Sequence, residues 1–138
     1  MSELNDFNQK VITEFRANGG TVGGQMAGMP LLLLTTTGNK TGRTLTKPLA
    51  YSKDGDRIFV IASFAGSPHN PAWFVNLEAN PTVTVEMGAE RFQARARITS
   101  GEERERLFKL QADKMGIFYD YQKKTTRQIP VVVFERIN

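Results

Sequence analysis

The chain has 138 residues, of which 18 are Lys or Arg, 14 are Asp or Glu, one is His and none is Cys. This length suits a single domain, expected to span residues 1–138. The 40% apolar and 23% charged residues are typical of a folded globular protein. The lack of cysteine excludes a disulfide framework and a thiolate metal site, and one histidine excludes a multi-histidine site, so we expect no metal.

The sequence shows no pattern for export or for crossing a membrane. It contains no run of about 18 apolar residues. Residues 1–6 carry neither the basic cluster nor the apolar core of a secretory signal. We therefore expect a cytoplasmic protein without a membrane span, while a peripheral contact with a membrane surface stays open.

The net charge of +4 is unevenly distributed. Between Phe15 and Lys53 the chain has five basic residues and no acidic one. Such a stretch suits an anionic partner, or alternatively a solvated basic face. The chain has no helix-turn-helix or RNP-like aromatic pattern, so we do not expect a nucleic-acid partner.

Six segments alternate or run apolar as β-strands do. They are residues 31–36, 46–52, 57–63, 82–87, 92–98 and 129–134. Asp54-Gly55 is a strong hairpin signal between the second and third of them. With no repeating strand-helix-strand unit, the pattern favours the α+β class, as an antiparallel barrel or half-barrel of about six strands with flanking helices.

Helix signals occur at three places. Residues 4–17 repeat apolar side chains at helical spacing. Asn70-Pro71 predicts an N-cap followed by Pro at the first position of a helix through residue 77. Ser100 with Glu103 forms a capping-box pattern at the start of another helix. Residues 116–128 show no clear period, so their aromatic side chains are expected outside regular structure.

Residues 35–43, TTTGNKTGR, form a polar loop between two expected strands. Its glycines allow the backbone to curve around an anion, and Lys40 and Arg43 add positive charge. The spacing matches neither a Walker loop nor a dinucleotide-binding fingerprint. From the residues alone, binding of phosphate or carboxylate and an ordinary basic hairpin loop both stay open.

Aromatic side chains offer two further candidates. Trp73, in the first turn of its expected helix, can contact a planar ligand or pack in the core. Tyr119 and Tyr121 suggest a pocket rim whose phenols could donate a proton, or packing against the barrel mouth. Ser63 and His69 lie in a segment without a nucleophile-elbow motif, so hydrolase chemistry is not favoured and His69 is interpreted as a surface residue.

Taken together, these segments resemble the deazaflavin-dependent nitroreductase family of actinobacteria, whose members are split β-barrel proteins that use coenzyme F-420. The resemblance rests on four blocks in the same order, residues 15–20 (FRANGG), 32–49 (LLLTTTGNKTGRTLTKPL), 70–81 (NPAWFVNLEANP) and 121–133. It implies an oxidoreductase that transfers a hydride from reduced F-420 to an electron-poor quinone, enone or nitro compound.

The resemblance also implies site residues. The loop at 39–41 would hold the phosphate and the acidic tail of the coenzyme, while residues 48–50, 61–64 and 72–74 would surround its ring. The full set of implied coenzyme contacts is Asn39, Lys40, Thr41, Arg43, Lys47, Pro48, Leu49, Ala50, Ile61, Ala62, Ser63, Phe64, Ala72, Trp73, Phe74, Asn76 and Phe118. The proton would come from Tyr121, Tyr119, Ser63 or solvent.

The sequence departs from the family in two places. Relatives commonly carry Arg where this chain has Leu45, so either Arg43 or Lys47 replaces it or the tail of the coenzyme is held less tightly. Relatives that reduce nitroimidazoles have a Tyr-rich C-terminal lid, of which this chain keeps only part, at Met115, Phe118 and Tyr121. Quinone or enone reduction is therefore favoured over nitroimidazole activation.

Two other functions stay open from the sequence. An FMN-dependent oxidoreductase on the same barrel would use the basic loop for its own phosphate. A non-catalytic carrier would store the deazaflavin or a lipid-like ligand. The partner in each case is a small molecule, and the chain could be a monomer or a homodimer.

Overall fold

The computed structural model describes residues 3–23, 30–38 and 40–137, with side chains from residue 7 onward. Within these ranges the chain forms four α-helices and one curled, seven-stranded antiparallel sheet. The helices are α1 (Glu3–Ala17), α2 (Ala72–Ala79), α3 (Gly101–Lys114) and α4 (Ile117–Lys124). The strands are β1 (Leu31–Thr37), β2 (Thr44–Ala50), β3 (Ser52–Asp54), β4 (Arg57–Ile61), β5 (Thr82–Met87), β6 (Glu90–Ile98) and β7 (Val131–Arg136). The expected α+β half-barrel is confirmed.

The two edge strands of the sheet, β2 and β3, follow one another in the chain. The strand order is β2-β1-β5-β6-β7-β4-β3, and every pair is antiparallel. The prediction of one strand over 46–52 is wrong, because the chain leaves one edge after Ala50 and joins the other at Ser52. Between them, the Tyr51 N–H donates to the Pro30 carbonyl at 3.0 Å. The sheet therefore curls toward closure, and seven strands replace the six expected.

Alternating side chains of β1 supply two of the three apolar clusters. Leu32 and Leu34 point into the barrel, and Leu31 and Leu33 pack under α1 against Phe15. Helices α3 and α4 cover a third cluster on the outer side of β4 and β7. Each fully buried side chain of this size contributes about 1.5–3 kcal/mol relative to exposure, so the clusters fix the helices on the sheet.

The start of α2 and the capping bonds of α3 differ from the sequence prediction. Helix α2 begins at Ala72 with Pro71 as its N-cap. The side-chain oxygen of Asn70 instead accepts a hydrogen bond from Arg127 at 2.9 Å. Asn70 therefore does not cap the helix. Ser100 is the N-cap of α3, but its side chain makes no capping hydrogen bond. Glu103 likewise forms no capping box, because its carboxylate accepts from Arg97 at 2.8 Å.

Residues 117–124 form helix α4, although the sequence predicted irregular structure there. Phe118 is buried on one side of this helix, and two lysines lie in its last turn, where positive charge is favourable. Eight residues give barely two turns of periodicity, too short for the pattern to be recognised. Among the residues that the structure describes, no helix has the length and apolar character to cross a membrane.

The end of α1 packs closely on the turn between β5 and β6. Arg16 forms two hydrogen bonds with the Glu86 carboxylate, at 2.8 and 3.0 Å. A Cβ atom on Gly20 would lie 2.5 Å from the Gly88 Cα atom, so only glycine permits this approach. Gly19, next to it, has open space around it and a similarly positive φ.

Alanine substitutions at Gly19 and Gly20 separate the cost of backbone strain from the cost of a steric clash. We expect Gly19→Ala to lower the free energy of unfolding by about 1–2 kcal/mol, the cost of a left-handed residue with a side chain. Gly20→Ala should cost about 1–3 kcal/mol more, because the helix or the turn must also move. Urea denaturation of the two variants measures both losses, and equal losses would contradict the close approach at Gly20.

Candidate functional site

A cavity of about 430 Å³ lies at the split in the barrel, where β2 and the end of β4 fail to meet. Strand β3 pairs with β4 only as far as Phe59, so Val60 and Ile61 extend beyond it. On the opposite side, Pro48 of edge strand β2 has no N–H to donate to another strand. The gap between the two strands therefore stays open and becomes the cavity.

Side chains from α1, β2, β4, the β4–α2 loop, α2 and α4 converge on this cavity. Its volume is within the range of small-molecule sites. The described lining residues are Asn8, Lys47, Pro48, Leu49, Ile61, Ser63, Phe64, Ala65, Pro71, Ala72, Trp73 and Tyr121. Nine of these twelve are residues that the resemblance implied; Asn8, Ala65 and Pro71 are additional.

The three additional residues differ in how far the sequence could indicate them. Ala65 and Pro71 adjoin expected positions and belong to the same loop. Asn8 lies on α1, some forty residues before any other lining residue, and nothing in its local sequence points to a site. Tertiary packing of α1 on the sheet brings Asn8 to the cavity.

Several implied coenzyme residues are packed elsewhere. Ala62, Phe74 and Phe118 are buried in the apolar clusters, and Ala50 packs toward α1. Asn76 donates a hydrogen bond to the Thr36 hydroxyl at 3.1 Å. These residues support the cavity walls from behind and do not line them.

The basic loop between β1 and β2 is exposed and closed on itself. The Gly38 N–H donates to the Arg43 carbonyl at 2.7 Å, and the Thr41 hydroxyl accepts from the Arg43 N–H at 3.2 Å. Lys40, Thr41 and Arg43 do not line the cavity, and Asn39 lies outside the described residues. The loop leads directly into β2, whose Lys47 does line it.

The two candidate tyrosines have different surroundings. Tyr121 lines the cavity, with its ring edge-to-face against Phe118 at 5.9 Å. Tyr119 lies away from the cavity, and its hydroxyl donates to the Asp113 carboxylate at 2.5 Å. This hydrogen bond raises the pKa of Tyr119 above its usual value, because only the protonated phenol can donate it to the carboxylate. Of the two, Tyr121 is the one that can reach a bound ligand.

The loop after β4 carries backbone strain at the cavity wall. Phe64, Ala65 and Gly66 have consecutive positive φ angles of 46°, 54° and 78°. For the two residues with side chains, this conformation costs about 1–3 kcal/mol each, so it persists only where surrounding contacts enforce it. Phe64 is left 51% exposed at the rim of the cavity.

The lining is apolar apart from one cation and a few hydroxyl or amide groups. Lys47 is the single charged side chain among the described lining residues, and no carboxylate accompanies it. Trp73, only 5% exposed, contributes its indole to the wall and packs edge-to-face on Phe74 at 6.3 Å. The cavity can therefore take a planar apolar group with a negative charge nearby.

Known proteins similar to this chain agree with that chemistry. Residues 8–136 match the family model described as F-420H(2)-dependent quinone reductase. A Mycobacterium tuberculosis protein named F-420H(2)-dependent quinone reductase is 38% identical over 126 residues, which cover 88% of this chain and 85% of that protein.

Solved structures support the same assignment. An F-420-H2-dependent reductase called FDR-A is 39% identical, with a TM-score of 0.71 over 77% of this chain and 94% of that one. A structure described as a domain-swapped dimer is 34% identical, with a TM-score of 0.73 over 96% of both chains. A haem storage protein of Vibrio cholerae, at 18% identity and a TM-score of 0.63, shares the fold alone.

These similarities confirm the expected split-barrel oxidoreductase class and F-420 as the coenzyme that goes with it. The matching family is named for quinone reduction, which agrees with the preference for quinones over nitroimidazoles that the incomplete tyrosine lid indicated. The expected roles of individual residues and the cytoplasmic location stay predictions. The chain belongs to the F-420H(2)-dependent quinone reductase family.

Proposed function

We propose that the cavity at the barrel split binds F-420 and that the chain reduces a quinone there. The observation that carries this proposal is the combination of apolar walls, one lysine and no carboxylate in the described lining. Membership of the quinone reductase family supports the choice of coenzyme and of acceptor.

The residues present fit this coenzyme. A deazaflavin is planar and apolar on its faces, and Trp73, Ile61 and Leu49 offer apolar surface on opposite sides of the gap. Its phosphate and glutamyl tail are anionic, and Lys47 lies where the basic loop joins the cavity. The exposed Lys40 and Arg43 extend this positive region outward, so a tail that leaves the cavity meets cations rather than acids.

Reduced F-420, when bound, supplies a hydride. Reduction of a quinone to a quinol also consumes a proton, and Tyr121 and Ser63, which both line the cavity, carry the hydroxyls that would supply it. The buried indole of Trp73 and the apolar side chains beside it exclude water from the reacting groups. The protein therefore acts by binding, orientation and control of one proton.

Enones and nitro compounds are further candidate acceptors, since they also accept a hydride and a proton. The half-exposed Phe64 ring at the rim offers a face to any of these planar molecules. An FMN-dependent enzyme and a non-catalytic carrier are the competing functions. A preference for FMN over F-420 would indicate the first, and binding of F-420 without turnover would indicate the second.

For assembly, we infer a monomer or a homodimer. The relative described as a domain-swapped dimer covers 96% of this chain and supports the second form.

The coenzyme proposal predicts a selective effect at Lys47. We expect the wild-type protein to bind F-420 more tightly than FMN, and Lys47→Ala to weaken F-420 binding by about 1–3 kcal/mol through loss of a charged contact. Titration can follow the fluorescence of Trp73, the one tryptophan in the chain. Lys53→Ala is the matched control, because Lys53 lies in the same acid-free stretch but on β3, away from the cavity. Equal affinity in all three proteins would remove Lys47 from the site.

The proton-donor proposal predicts different outcomes at the two tyrosines. Tyr121→Phe should lower the turnover number for a quinone by about a hundredfold or more, within the range for loss of general-acid catalysis, and leave F-420 affinity nearly unchanged. Tyr119→Phe should change neither, because that hydroxyl is bound to Asp113. Steady-state kinetics with separate coenzyme titrations measure both quantities. Full turnover in Tyr121→Phe would assign the proton to Ser63 or solvent.

A further inference from the structure

Arg127, in the segment between α4 and β7, holds the loop that forms one wall of the cavity. Its guanidinium donates to the carbonyls of Ser63 and Ser67, each at 2.8 Å, and to that of Ala62 at 3.3 Å. It also donates to the Asn70 side chain at 2.9 Å. All four acceptors lie between residues 62 and 70, in the connection from β4 to α2. One side chain thus joins the two ends of this loop.

The loop depends on contacts from outside itself. Its own backbone hydrogen bonds run from Gly66 N–H to the Ser63 carbonyl and from Ser67 N–H to the Phe64 carbonyl, and they close around left-handed residues. The His69 N–H adds a longer bond to the Ser67 hydroxyl, at 3.4 Å. The Ser63 carbonyl accepts from both Gly66 and Arg127, so the arginine reinforces the point where the strained turn begins. Without the guanidinium, the strained residues would be free to relax and the cavity wall would move.

The same segment also joins the opposite wall. The Gln122 side chain of α4 donates to the Arg127 carbonyl at 2.8 Å. A Cβ atom on Gly66 would lie 2.8 Å from the Tyr121 carbonyl, so the loop and α4 are in close contact. The loop that Arg127 holds therefore packs directly on the helix that carries Tyr121.

The environment of Arg127 requires a guanidinium in particular. No carboxylate pairs with it among the described side chains, and all its acceptors are neutral. Burial lowers its pKa, yet an arginine remains charged at neutral pH. Its planar fork reaches acceptors in several directions at once, whereas a lysine places all its donors on one atom.

We propose that Arg127 is a positioning residue for the cavity, which holds residues 63–65 and Tyr121 in the arrangement that receives the coenzyme ring. Arg127 does not line the cavity, so it acts through the loop rather than by contact with a ligand. The part of this inference that concerns the coenzyme rests on the proposed function. The part that concerns the loop does not, and it can be measured without any ligand.

The test compares Arg127→Lys, Arg127→Ala and the milder Asn70→Ala, which removes one acceptor and keeps the guanidinium. Without ligand, we expect amide hydrogen exchange at Gly66 and Ser67 to accelerate about tenfold or more in both Arg127 variants, the change that follows from loss of a charged hydrogen bond. Exchange at Val85, in the core of β5, should be unchanged. Asn70→Ala should show a smaller change at the same two amides.

Coenzyme titration gives the second readout. Both Arg127 variants should bind F-420 at least about tenfold more weakly than wild type, for the same reason. Millimolar methylguanidine should restore binding to Arg127→Ala but not to Arg127→Lys. Arg97→Lys is the control: that arginine of β6 donates to the Glu103 carboxylate at 2.8 and 3.1 Å, away from the loop and the cavity, so its replacement should leave F-420 affinity unchanged.

The outcomes separate the two proposals. If wild type fails to bind F-420, the proposed function is wrong, and exchange at Gly66 and Ser67 still decides the role of Arg127. Unchanged exchange in the Arg127 variants, or an Arg127→Lys protein that matches wild type in both readouts, would overturn the positioning role. If Arg127→Ala does not fold, Asn70→Ala and Arg127→Lys decide the same question.

Discussion

The site depends on two strand edges that face each other without pairing. Strands β2 and β3 are separated by Tyr51 alone, yet they lie at opposite ends of the strand order. The sheet must curl for this connection to be made. Because β3 is only three residues long and Pro48 lacks an N–H, the ladder cannot close over β2 and the end of β4. A cavity lined partly by backbone edges results, and helices α1, α2 and α4 complete its walls.

Charge and strain add chemistry to that opening. The acid-free stretch from Phe15 to Lys53 supplies the basic loop and the lysine of β2, so anion attraction is concentrated on one side of the split. The other side is a loop with three left-handed residues, held by a half-buried arginine from a distant part of the chain. One wall is electrostatically suited to a coenzyme tail, and the other is rigid where a planar ring would pack. This division of roles is consistent with a protein that binds and orients a coenzyme which carries out the hydride transfer.

Local patterns in the sequence predicted most of the helices and strands but not the tertiary contacts between them. Apolar alternation indicated the strands, and the family resemblance indicated nine of the lining residues, five of them within the blocks 32–49 and 70–81. Helix α4 was missed because eight residues carry too little periodicity. Asn8 and Arg127 were missed because their roles come from packing across the whole fold. The capping bonds predicted for Asn70 and Glu103 are absent for the related reason that both side chains bond to arginines outside their own helices.

Protein-dependent oxidation of reduced F-420 by a quinone is the measurement that tests the central claim most directly. Reduced F-420 and a soluble naphthoquinone would be mixed without oxygen, with a catalytic amount of protein, and the absorbance of oxidised F-420 followed. The account predicts many turnovers per protein molecule, a rate that saturates with quinone, and no comparable rate with reduced FMN. A rate equal to that without protein, or a preference for FMN, would contradict it.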